Sequence, residues 1–341
     1  MGRHGFSARV LLGLLAAVSL SSLFIALPVL GAEETGSGKS GTFSFVLDND
    51  FQYDTDGGYS SGMGFVWVPG TDATPGWALR VARAVPWIPR EGRVRHGYVL
   101  GHNTYTPSDI EMVDPPPAER PYAGWLFGAV GLGIETGRQL DQLALTLGVV
   151  GPASLAEPAQ KFIHEVVGTK EPMGWDTQLE NELGIVLTWQ RNWRGWVTTT
   201  RRARELDLTP NFGGSLGNVY TYANAGVMMR YGKQLGNDYG PPRFQPGLPG
   251  SGFFVSPQKS GWYLFVGIEG RAVARNIFLD GNTFRDSRSV DKERLVGDLQ
   301  FGFVFNGRTT RLSYTHVMRS REFESQIGDD DFGTFSLTRP L

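Results

Sequence analysis

From Thr42 onward the chain alternates apolar with small or polar residues in one short segment after another, and few folds accept that pattern. Leu143, Leu145, Leu147 and Val149 alternate with Gln142, Ala144, Thr146 and Gly148. Leu183, Ile185, Leu187 and Trp189 alternate with Glu182, Gly184, Thr188 and Gln190, and Leu299, Phe301, Phe303 and Phe305 with Asp298, Gln300 and Gly302. Successive side chains of a strand point to opposite faces, so each segment has one apolar and one small-or-polar face. Two architectures satisfy this: a soluble sandwich that buries the apolar face, or an outer-membrane barrel that turns it toward lipid around a polar lumen.

Three features favour the barrel. The polar faces carry Asp298, Gln300, Arg202 and Glu182 rather than uniform Lys and Glu. Trp and Tyr gather at segment ends, as at Tyr220, Tyr222, Tyr231, Trp193, Trp196, Trp262 and Tyr263, where a membrane interface would place them. At the N-terminus Arg3, His4 and Arg9 precede an apolar run from Val10 to Leu30 and then Gly31-Ala32-Glu33-Glu34. This reads as a secretory signal over residues 1–32, followed by a flexible leader over 33–41. No later segment approaches the ~18 unbroken apolar residues of a spanning helix.

The expected fold is therefore an all-β, transmembrane antiparallel β-barrel over 42–341 with about 12 strands. The segments are 43–51, 59–68, 95–105, 122–136, 141–150, 179–191, 194–207, 219–232, 262–274, 293–305, 309–320 and 332–341. With both termini periplasmic, the tight turns at 137–141, 191–194 and 306–308 face the periplasm, as barrels prefer. The connections 52–58, 106–121, 151–178, 208–218, 275–292 and 321–331 face outward. Two long periplasmic connections, 69–94 and 233–261, are expected as amphipathic plugs or flaps, with a short helix between Trp77 and Trp87.

Composition excludes several chemistries. The balance of 32 basic and 34 acidic residues gives no pull toward nucleic acid. With no Cys there is no thiol nucleophile, disulfide or thiolate metal site, and any metal must be held by oxygen or imidazole.

One outward connection breaks the period-two pattern. Residues 152–168 read as a short helix, with Ser154 as N-cap, Glu157 completing a capping box and Gly168 at the stop. Gln160 and His164 lie four residues apart and share one face. The other four histidines carry less. His4 is in the signal, His96 opens a strand at the periplasmic end, and His102 is a lumen candidate. His316 shares a face with Leu312, Tyr314 and Met318 and so points to lipid. The first hairpin contributes Asn49-Asp50 at the end of a strand, with Ser60 and Ser61 beyond the turn. A carboxylate and an amide near a hydroxyl suit a hard cation such as Ca²⁺. A neutral His beside such an ion could deprotonate water while the ion stabilises an oxyanion.

Asn49-Asp50-Phe51 followed by Tyr59-Ser60-Ser61-Gly62 resembles the start of the lipid A 3′-O-deacylase family of outer membrane barrels. Arg120-Pro121-Tyr122-Ala123-Gly124-Trp125 is similar to the opening of that family's fourth strand. Gly148-Val149-Val150-Gly151-Pro152, then Gln160 and His164, then Gly174 through Glu182 follow in the family's order. The resemblance covers about residues 43–190 and implies a twelve-stranded barrel with its site between the outer wall and a loop helix. It implies Ca²⁺-dependent ester hydrolysis that removes the 3′ acyloxyacyl group of lipid A in the bacterial outer membrane. His164 would activate water, Asp50 would hold Ca²⁺, Asn49 and Ser60 would shape the metal and substrate site, and Gln160 would position the ester or its oxyanion. The implied partner is lipopolysaccharide in the outer leaflet, with the chain acting as a monomer. The outward connection before the fourth strand and one residue of the loop helix region depart from the family pattern. The outward connection before the fourth strand, basic in the family, is acidic over 109–119 and leaves Arg120 as its cation; Lys170 stands where an acidic residue is expected six positions after the histidine.

Two other functions fit the same residues. An outer-membrane phospholipase would use Ser60 or Ser61 as a nucleophile activated by His164, although no Gly-x-Ser-x-Gly motif is present. A pore or structural barrel would use the loop helix only as a plug.

Overall fold

The computed structural model describes residues 41–49, 58–70, 73–201, 204–235, 239–241 and 260–341. The signal, nearly all of the leader, Asp50 and Arg202 lie outside the described residues. The strands are β1 (Thr42–Asn49), β2 (Gly58–Val68), β3 (Arg93–Thr106), β4 (Ala123–Thr136), β5 (Gln139–Val150), β6 (Glu182–Trp193) and β7 (Val197–Arg201). They continue as β8 (Arg204–Gly217), β9 (Tyr220–Lys233), β10 (Gly261–Asn276), β11 (Leu295–Asn306), β12 (Arg311–Arg319) and β13 (Asp330–Pro340). Neighbours in sequence other than β6 and β7 pair antiparallel, β1 pairs with β13 from Thr42↔Pro340 to Asn49↔Gly333, and β6 pairs with β8, which closes the barrel.

The 13 strands form 12 staves. Residues 191–194 do not turn the chain. Asn192 pairs with Asn211 and Val197 with Leu208, so β6 and β7 run in one direction along β8 with two extra residues on their side. This enlarged bulge is turned by Gly195 at φ 56° and held by Arg194 N–H to Arg138 O (2.8 Å) and Trp196 N–H to Leu208 O (2.9 Å). Arg191-Asn192-Trp193-Arg194 looks locally like a hairpin, but cross-strand pairing carries the stave through it. Residues 208–217 are accordingly strand, and the outward connection there shrinks to Asn218 and Val219.

The alternation sorts as the barrel requires. Leu145, Leu147, Leu183, Ile185, Leu187, Leu264, Ile268, Phe301, Phe303 and Phe305 are exposed on the outer face, while Glu182, Asp298 and Gln300 are buried in the lumen. The lumen is not polar throughout. Its outer end is filled by Tyr105, Trp125, Phe127, Tyr220 and the short helix α3 (Ile277–Asp280), with Tyr105 and Phe278 stacked at 3.8 Å. Asn276 caps that helix by accepting from Phe278 N–H (3.2 Å). A twelve-stave barrel is too wide for its own walls to fill, so inserted loops supply the packing.

Arginines join the outer loops to this plug. Arg319 bonds Asp298 (3.0 Å), and Arg120, only 1% exposed, bonds Glu322 (2.8 Å) between the rings of Tyr105 and Phe323. Burial alone would raise the Glu322 pKa, but Arg319 and Arg120 hold it below the ordinary carboxylate value. A depressed carboxylate stabilises the fold above its unfolded pKa and loses that contribution as pH falls through the folded value. Urea unfolding should therefore show native protein losing more stability than Glu322→Gln as pH drops below about 4.5. At neutral pH the substitution should cost about 3–5 kcal/mol, as for a broken buried pair.

Candidate active site on the outer wall

The helix anticipated in residues 152–168 is present as a 3-10 turn, Pro152–Ser154, and α2, Ala156–Val167. (The periplasmic helix, Gly76–Ala84, is α1.) Gly168 ends α2 with φ 72°, as expected. The capping box does not form. The N-cap is Leu155 in the left-handed region, the buried Ser154 hydroxyl has no hydrogen-bond partner among the described residues, and Glu157 pairs with Lys161 instead (2.9 Å). Tertiary contacts fix this entry. Ala153 N–H donates to Asn181 Oδ1 (2.7 Å), and His102 Nε2 donates to Ser154 O (3.1 Å). Because His102 reaches the loop from the outer face of β3, it is not a lumen residue; odd-numbered β3 residues such as Val99 and Tyr105 face the barrel core.

Strand parity shows where α2 lies. Ala123, Trp125 and Phe127 face the lumen, so Gly124 faces outward. A Cβ on Gly124 would fall 2.1 Å from Ser154 Oγ and 2.2 Å from Ala156 Cβ. The helix is therefore seated on the outside of the wall, packed on β3 and β4. The residues of α2 that it buries are Ala156, Gln160 and His164, one every four positions. Its exposed residues include Phe162 and Val166, at 66% and 70%. This helix is inverted, with polar groups against protein and apolar groups outward.

The two polar side chains are held in defined states. His164, 9% exposed, donates from Nδ1 to Lys170 O (2.5 Å), since a carbonyl can only accept. In the neutral ring Nε2 then keeps its lone pair for a proton. Gln160, 5% exposed, accepts from Trp175 Nε1 through Oε1 (2.9 Å), which leaves its amide N–H groups as donors. Trp175 packs on Tyr122 at 4.9 Å, and the Tyr122 hydroxyl donates to Ile110 O (3.0 Å). Burial raises the Tyr122 pKa to about 12, so that donor stays protonated.

Register brings the first hairpin to the same end of the same wall. Asn49 pairs with Ser61, Ser61 with Thr104, and Thr104 with Gly124, forming one lateral row. At about 4.8 Å per strand, Asn49 stands on the order of 14 Å from the seat of α2. Ser60 occupies a bulge between Tyr59↔Tyr105 and Ser61↔Thr104. By residue type Asn49, Asp50 and Ser60 offer only oxygen donors to a metal, which suits Ca²⁺ better than a softer metal, and the Asp50 placement lies outside the described residues. No cluster of three acidic or His residues suited to a metal occurs among the described residues.

A family model, that of outer membrane protein LpxR, matches residues 14–341. The chain belongs to the LpxR family. It is an outer-membrane barrel. Among solved structures it is similar to LpxR from Salmonella typhimurium, with 18% identity and a TM-score of 0.71 over 88% of this chain and all of that one. The NanC porin (5% identity, TM-score 0.39, 88% of this chain and 100% of that chain) and the β domain of the Bordetella autotransporter BrkA (9%, 0.40, 90% and 99%) show only distant likeness. A direct search of curated proteins finds no match.

The LpxR-type motifs now have physical roles. In Arg120 through Trp125, Tyr122 supports Trp175, Gly124 seats α2 and Trp125 fills the lumen. In Gly174 through Glu182, Trp175 holds Gln160 and Asn181 fixes the 3-10 turn, while Glu182 accepts from Asn218 (2.8 Å) and Thr283 N–H (2.7 Å). Arg120, the cation left to the acidic connection, is not at the surface but buried against Glu322. Lys170 acts through its backbone carbonyl, while its ammonium pairs with Glu111 of the acidic connection (2.6 Å). Trp175 and Tyr122 stood inside the motifs without an assigned role, since aromatic residues there read equally well as interface belt.

Proposed function

We propose that this barrel removes the 3′-O-linked acyloxyacyl group of lipid A by hydrolysis at the outer leaflet. The inverted helix carries this reading. Its apolar outer face, with Phe162 and Val166, suits acyl chains, and its polar face holds a base and an amide in a space shielded from bulk water. His164 Nε2 takes a proton from water as the oxygen attacks the ester carbonyl. Gln160 N–H donates to the oxyanion of the tetrahedral intermediate, and the proton on His164 passes to the departing sugar 3-oxygen. The products are the free acyloxyacyl carboxylic acid, its inner ester intact, and a lipid A hydroxyl. Asp50 would hold Ca²⁺, with Asn49 and Ser60 shaping the metal and substrate site, and the ion when bound would supply Lewis-acid polarisation of the ester carbonyl.

Trp175 positions Gln160 and does not touch the ester. Trp175→Phe leaves the buried Gln160 Oε1 without its donor, a cost of about 1–3 kcal/mol, and should slow turnover roughly tenfold to a hundredfold with folding intact.

The deciding measurement is mass spectrometry of lipid A from cells with and without the barrel, with Ca²⁺ supplied or chelated. Loss of the acyloxyacyl mass only with both present is the expected result. Intact lipid A alongside abundant folded barrel would overturn the proposal.

A further inference from the structure

The connection between β2 and β3 lies at the end of the barrel that carries the short Gly137-Arg138 turn, the periplasmic end. It is long, and from residue 80 to 92 it holds three arginines, Arg80, Arg83 and Arg90, against one glutamate, Glu91. Within it α1, Gly76–Ala84, buries Ala78 and Ala82, four residues apart, against Leu132 and Ile134. Leu143, Trp189, Val85 and Ile88 complete that contact. Leu132 and Ile134 belong to the outward row of β4, and Leu143 and Trp189 to the outward rows of β5 and β6. The helix therefore lies on the lipid side of the wall, outside the lumen.

Its remaining surface is divided. Helical periodicity puts Trp77 and Val81 on one flank and Arg80 and Arg83 on the other, all exposed. Trp87, 57% exposed, follows the helix, edge-on to Trp189 at 6.1 Å. Its carbonyl accepts from Arg191 (2.7 Å), whose Nε pairs with the buried Asp141 (2.8 Å), so the segment is fastened to the wall. Arg90 is exposed just beyond.

We propose that α1, Trp87 and Arg90 form a binding surface for anionic glycerophospholipid headgroups in the periplasmic leaflet. Trp77, Val81 and Trp87 extend the barrel's apolar band to the level of the headgroups, where indole rings partition. Arg80, Arg83 and Arg90 then meet the phosphates, and a net negative headgroup complements three exposed guanidinium groups. The surface lies at the opposite end of the barrel from α2 and does not depend on the deacylation reading.

The test uses the full barrel refolded into phosphatidylcholine vesicles containing a minor fraction of brominated phosphatidylglycerol or, separately, brominated phosphatidylcholine. Quenching is read as the difference between the barrel and its Trp77→Phe/Trp87→Phe variant. Brominated phosphatidylglycerol should quench more strongly, with an enrichment of about fivefold, the equivalent of one basic residue at an anionic surface. High salt and Arg80→Gln/Arg83→Gln/Arg90→Gln should both abolish the preference without altering heat-modifiable migration of the folded barrel. Equal quenching by the two lipids, or a preference that survives the triple substitution, would overturn the proposal. So would quenching by neither lipid together with disulfide dimers of a Trp87→Cys variant, which would assign the surface to a second copy.

Discussion

His164→Ala is expected to lower lipid A deacylation by at least about a hundredfold while the barrel folds normally. The residue sits on a loop helix outside the wall, and among the described residues its side chain makes one hydrogen bond, from Nδ1 to a backbone carbonyl, so no described strand depends on it. His164→Asn sharpens the test. Its amide can still donate toward Lys170 O, keeping the turn at 168–170, but it has no basic nitrogen. Loss in both variants, with heat-modifiable migration retained, identifies the base. Near-native turnover in His164→Asn would mean the imidazole serves only as a tether. Mass spectrometry of lipid A over a time course gives the rates.

Gly124→Val should be as severe for a different reason. The first atom added lies 2.1 Å from Ser154 Oγ and 2.2 Å from Ala156 Cβ, far inside contact, and both belong to the seat of α2. The helix must lift from the wall, carrying Gln160 and His164 with it. Misplacement by about 1 Å is enough for roughly a hundredfold loss. The control is Gly128→Ala on the same outward row, where the nearest atom to a Cβ is Val99 O at 3.8 Å, an ordinary contact. It should leave activity unchanged. Limited proteolysis within residues 151–178 should accelerate only in Gly124→Val, reporting the loosened helix. If Gly124→Val retained activity, α2 would have to work away from its present seat.

Both predictions rest on features with different legibility in the sequence. The pairing of Gln160 and His164 on one face follows from helical period alone. The tautomer of His164 does not. Lys170 looks like a lost acidic partner when residue types are compared, yet a backbone carbonyl accepts the bond, and every residue has one. Arg120 shows the converse. By residue type it is the cation left to the acidic outward connection, but Glu322, 202 positions away, takes it into the plug. Ser154 and Glu157 match a capping box by spacing, and contacts from Asn181 and His102 override it.

By itself the sequence determined the number of staves, the lipid and lumen faces of most of them, the end of the barrel bearing the loop helix, and the shared face of Gln160 and His164 on that helix. These follow from local periodicity, which backbone geometry converts directly into direction. Only the tertiary structure decided that β6 continues through the bulge at Gly195, that Gly124 is the seat of α2, and that Asn49, Thr104 and Gly124 share one row. Those facts depend on register and closure, which hydrogen bonds between distant segments fix and no short stretch of residues encodes.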